Sequence, residues 1–135
     1  MPRENKRVTQ PGTEIVRQLP WNDDAPAAAR ALVRTLLAGI TQISAQRAGE
    51  LTLAVSELVA NAVRHAPPGP VDVRLLASNG TIRVEVADAG TVPFELPAAG
   101  NGHWGLRLTQ EFSDRFGIER LPSTCVWCEF DVAQA

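Results

Sequence analysis

Glu57, Asn61 and His65 stand four residues apart in the run Ser56-Glu57-Leu58-Val59-Ala60-Asn61-Ala62-Val63-Arg64-His65-Ala66. On a helix that spacing makes one row of neighbouring side chains. The row lies beside an apolar stripe of Leu51, Val55 and Ala62, so a carboxylate and an amide oxygen can face a cleft. The carboxylate can accept a proton, and the amide oxygen is a hard ligand suited to Mg²⁺. Taken alone, the row reads more readily as an ordinary solvated helix flank. Asp88 is the second candidate. Alternation from Ile82, Val84 and Val86 puts it on a buried strand face, where a carboxylate needs a donor such as the exocyclic amine of a base. Gly90 would let a flat ligand approach the backbone. The plainer alternative is a turn aspartate bonding its own loop. Third, Gly100-Asn101-Gly102-His103-Trp104-Gly105-Leu106 has the letters of a dinucleotide fingerprint but no βαβ unit around it. A glycine-rich loop ahead of a helix still suits phosphate, and a flexible surface loop is the alternative.

These residues need elements to position them. Residues 1–13 read as a polar tail, and 14–19 as a strand stopped by Pro20. Asp23 and Asp24 are N-cap candidates for a helix over 25–39, whose Ala29, Leu32, Val33, Leu36, Leu37 and Ile40 share one face. Ser44 opens a longer helix reaching about Ala66, where Pro67-Pro68-Gly69-Pro70 stops it. Val71, Val73 and Leu75 mark a strand, Ser78-Asn79-Gly80 a hairpin turn, and Ile82, Val84 and Val86 the returning strand. Residues 89–104 form a long loop, followed by a helix over about 105–114. Segments 116–121 and 125–132 form a closing hairpin, with Val126, Cys128, Phe130 and Val132 on one face. The sum predicts an α+β fold over 14–135, a single two-layer α/β sandwich. Its sheet would be mixed but mostly antiparallel, with four or five strands and about three helices on one face.

Composition removes several chemistries. Of 13 basic residues in the 135, all but Lys6 are arginine. A P-loop lysine, the strand lysine of a eukaryotic-type kinase and a Schiff-base lysine therefore have no candidate outside the tail. The net charge of -2 carries no block of like charges, which argues against direct nucleic-acid or membrane-surface binding. The start lacks the apolar core of a signal peptide, and a cytoplasmic protein is expected. Cys125 and Cys128 spell C-x-x-C, but residues three apart in a strand face opposite sides, so two reduced structural cysteines are expected. Trp21 and Trp127 read as packing or interface residues. Trp127, opposite Phe130, is expected to be exposed at a partner surface.

The order of the three constellations resembles the GHKL (Bergerat-fold) ATP-binding family. Glu57-x-x-x-Asn61 is similar to its N box, Asp88-x-Gly90 to its first glycine box, and Gly102 to Leu106 to its second. Thr124 is similar to its adenine-side threonine. The resemblance covers roughly residues 14–132. Within the family, SELVANAVRHA and GLRLTQEFSDRFG look most like the anti-sigma-factor serine kinases of actinobacterial type. The resemblance implies ATP and Mg²⁺ as cofactors, with Asn61 on the metal and Asp88 on the adenine amino group. It places Gly90 beneath the base, Gly102 and Gly105 in the phosphate lid, and His65, Leu106 and Thr124 among the cofactor-binding residues. It makes Glu57 the general base acting on a serine of an anti-anti-sigma factor, and a sigma factor the sequestered partner. A homodimer through the strand EIVRQL is also implied. Two positions depart from the pattern: Thr91 follows Gly90 where a further glycine box residue is usual, and His103 replaces a lid glycine. A regulatory binding module of the same fold without kinase activity is therefore the alternative. An ATPase with a transducer domain fits 135 residues less well.

Overall fold

Alternating side chains on either side of Ser78-Asn79-Gly80 build the centre of the sheet. The computed structural model describes residues 12–65, 68–88, 104–119 and 123–132. In it β2 (Val71–Ser78) and β3 (Thr81–Ala87) pair antiparallel, with Ser78 opposite Thr81. Asn79 (φ 55°) and Gly80 (φ 81°) both take positive φ, the backbone that a two-residue turn between twisted strands requires. β1 (Thr13–Leu19) flanks β2, and β5 (Cys125–Asp131) flanks β3, with β4 (Arg115–Glu119) beyond it. The order is β1-β2-β3-β5-β4.

Every ladder among the described strands is antiparallel, so the expected mixed sheet resolves into a purely antiparallel one. The reason lies in the connections. Between β1 and β2 the chain makes two helices, α1 (Ala25–Leu37) and α2 (Ala45–His65), rather than one. Two crossings return the chain to the sheet end it left, and β2 then runs opposite to β1. A third helix, α3 (Trp104–Phe112), precedes β4.

The helices cover one face. α1 buries Ala25, Ala29, Val33 and Leu36, and α2 buries Leu51, Ala54, Val55, Leu58, Val59 and Ala62. Beneath them lie Val71, Val73, Leu75, Ile82, Val84, Val86, Cys128 and Phe130. Each fully buried Val or Leu contributes about 2 kcal/mol. Ser44 caps α2 as expected, its Oγ accepting the Arg47 N–H at 3.0 Å. At α1 the expectation is only half met: Asp24 holds the N-cap position without a side-chain cap bond, and Asn22 Oδ1 instead accepts the Asp24 N–H at 2.9 Å. α1 ends two residues before the expected 39, because the Gly39 and Ile40 N–H groups turn back to Leu36 and Leu37.

The opposite sheet face is a lattice of charge. Arg74 joins Glu14 and Glu85, Arg83 joins Glu85 and Glu129, and Arg115 joins Glu129 and Asp131. Trp127 lies on this face, as alternation predicts, but it is half-buried rather than openly exposed. The Arg83 guanidinium stacks 4.4 Å from its ring centroid, and a Cβ on Gly117 would come within 2.4 Å of the ring. The indole fills the space a side chain at Gly117 would take. Cys125 and Cys128 point to opposite faces and are not bonded to one another.

Candidate functional site

Sheet register decides which candidates meet. Leu19 pairs with Val71, Asp72 with Ala87, and Ala87 with Cys125, so the end of β1, start of β2, end of β3 and start of β5 share one end of the sheet. α2 leads into β2, so its last turns, with Asn61 and His65, arrive at that same end. Its first turn lies at the other end, where the Arg47 guanidinium donates to the Asp131 carbonyl at 3.4 Å and the Phe112 carbonyl at 2.7 Å. Phe112 ends α3, and α3 packs along α2. The two helices therefore run antiparallel, and the first turn of α3 returns toward the end that holds Asn61.

At that end the strand candidates are in contact. The Asp88 N–H donates to the Thr124 carbonyl at 3.1 Å, one residue beyond the β3–β5 ladder. Thr124 is buried, and Asp88, just past the end of β3, is half-buried. Glu57 is half-buried, and His65, the last residue of α2, is exposed. Gly90 and Gly102 lie outside the described residues. Gly105 and Leu106 fall in the first turn of α3, and their side chains also lie outside the described set.

Asn61 is the most telling residue. It is only 4% exposed, its Nδ2 has no hydrogen-bond partner among the described residues, and its Oδ1 accepts from Arg64 Nη2 at 3.1 Å. Arginine has no acceptor, so the amide oxygen has to be the atom facing it. A buried amide N–H without an acceptor among the described residues is costly, and such a donor is completed by water or by an acceptor atom of a ligand. The oxygen is also the hard donor that Mg²⁺ takes. Asn61 thus fits a metal bound mainly through phosphate and water. Among the described residues no three His, Cys, Asp or Glu side chains gather as a metal site. Mg²⁺ bound with a nucleotide does not need such a cage.

Sequence reasoning singled out Asn61 but not the Arg64 contact that occupies its oxygen. The signal was present, since residues three apart on a helix are neighbours. What the spacing could not give is that the contact would form at a buried amide.

The family model described as "Histidine kinase-like ATPase domain" matches residues 19–129. Among solved structures the chain is similar to "The crystal structure of the RsbU and RsbW domains of Rv1364c from Mycobacterium tuberculosis", with a TM-score of 0.70 and 21% identity. That alignment covers 91% of this chain and 33% of the other, so this chain spans about a third of that one's length. At this identity the likeness bears on the fold. No curated protein matches the sequence.

Proposed function

The chain belongs to the histidine kinase-like ATPase domain family, and we propose that it is an ATP-binding anti-sigma factor that phosphorylates a serine of an anti-anti-sigma factor. The single observation that carries this reading is the buried, half-satisfied Asn61 amide at the sheet end shared with Asp88 and Thr124. ATP with Mg²⁺ would supply the phosphoryl group and neutralise its charge. Asn61 would hold the metal through its amide oxygen. Asp88 would accept the adenine amino group beside Thr124, with Gly90 under the base. Gly102, Gly105 and Leu106 would close over the phosphates, and His65 would border the cofactor from the end of α2.

Glu57 would then do the proton work. As the serine oxygen bonds to the terminal phosphorus, its proton passes to the Glu57 carboxylate, and the bridging oxygen leaves with ADP. Phosphoryl transfer depends mostly on positioning and charge, so arginine can serve where lysine is absent. Arg64 and Arg107 are the nearest candidates in sequence. The protein would act in the cytoplasm and sequester a sigma factor as a homodimer, and none of the described helices is long and apolar enough to cross a membrane.

Incubation with labelled ATP and the cognate anti-anti-sigma factor is expected to label one serine, and Glu57→Ala is expected to abolish the label while retaining ATP binding. A wild type that binds ATP yet labels nothing would favour the second reading, a regulatory module without kinase activity. The observation behind that reading is the pair of departures at Thr91 and His103.

A further inference from the structure

Arg64 and a bound cation would compete for one atom. Arg64 Nη2 donates to Asn61 Oδ1 at 3.1 Å, while Nδ2 of the same 4%-exposed amide has no partner among the described residues. Only the oxygen of that amide can coordinate a divalent cation. A guanidinium and a divalent cation on the same oxygen are like charges a few ångströms apart, and the partly buried setting screens them weakly. We infer that Arg64 guards the metal position: it holds the Asn61 oxygen and has to leave before Mg²⁺ can be bound there. This rests on the nucleotide-binding reading.

The displaced side chain has somewhere to go. Arg64 is exposed and lies in the last turn of α2, where the helix dipole favours a cation.

The test is Mn²⁺ binding to the full chain saturated with ADP, read by electron paramagnetic resonance, with ADP affinity measured separately in chelator. Arg64→Ala is expected to bind Mn²⁺ about tenfold more tightly than wild type, with no gain in ADP affinity in the chelator. Arg34→Ala removes the same charge from the last turn of α1, away from the amide, and is expected to leave Mn²⁺ affinity unchanged. Unchanged or weaker Mn²⁺ binding in Arg64→Ala, or an equal gain in Arg34→Ala, overturns the inference while leaving nucleotide binding intact. A wild type that binds no ADP overturns the nucleotide reading itself, and this inference with it.

Discussion

Single residues here are governed by whether burial leaves them a partner. Among the described residues Asn61 retains an amide nitrogen without a partner, whereas Cys128 is buried in the core with no need of one. Burial pushes the Cys128 thiol up to about 12, and burial followed by Glu85 pushes Cys125 up to about 11. A thiol raised in the folded state stabilises fully below its unfolded value near 9.0, and that stability is lost as pH rises toward the folded value. Besides Cys125, the sequence has no tyrosine and a single lysine to titrate in the same window. Under reducing conditions, stability is expected to fall by roughly 1.4 kcal/mol per pH unit above pH 9 through Cys128. Cys128→Val should remove that share of the slope in denaturant melts across pH 8–11, leaving the share of Cys125, whose thiol is raised over the same window. An identical slope in the variant would contradict a buried neutral thiol. Asn61 and Cys128 were both visible in the sequence as residue types at telling positions, but the Arg64 contact was not, because it depends on where an exposed arginine settles.

At the scale of elements, local pattern and distant packing divide the work. The hairpin at Asn79-Gly80, the Ser44 cap and the strand alternation were legible because each is decided by residues a few positions apart. The half-buried Trp127 was not, since its cover comes from Arg83 and from the missing side chain of Gly117 on another strand. Arg47 is the clearest case of what local reading misses. From the first turn of α2 it pairs with Glu50 and Asp114, donates to the Phe112 and Asp131 carbonyls, and stacks 4.7 Å over Phe130. One side chain thus fastens the end of α3 and the end of β5 to α2. Arg47→Ala is expected to cost about 2–3 kcal/mol, since it takes a donor from two carbonyls and two carboxylates at once. Arg47→Lys should recover only part of this, as lysine lacks the fork. Chemical denaturation measures both. A loss under 0.5 kcal/mol, the range of ordinary surface changes, would mean the contacts are incidental.

For the whole molecule, the fold class, the one-sided helix layer and the gathering of Asn61, Asp88 and Thr124 at one sheet end follow from connection order and register. Sequence order alone gave the layers. It left the strand directions partly open, because the double helical crossing between β1 and β2 fixes them only once both helices are seen to traverse the sheet. β1 ends the described sheet order, with Val16 56% exposed. A homodimer through β1 is expected in light scattering, and Val16→Arg is expected to shift it toward monomer; a wild-type monomer would rule that interface out. The nucleotide site is the central claim, and thermal melting with and without ATP and Mg²⁺ tests it most directly. Ligand that binds only the folded chain stabilises it by about 2.7 kcal/mol at one hundred times its dissociation constant. Wild type should therefore melt several degrees higher with millimolar ATP and Mg²⁺, and Asn61→Ala should lose that rise while folding normally without ligand. A wild-type melting temperature indifferent to millimolar ATP and Mg²⁺ would contradict the account.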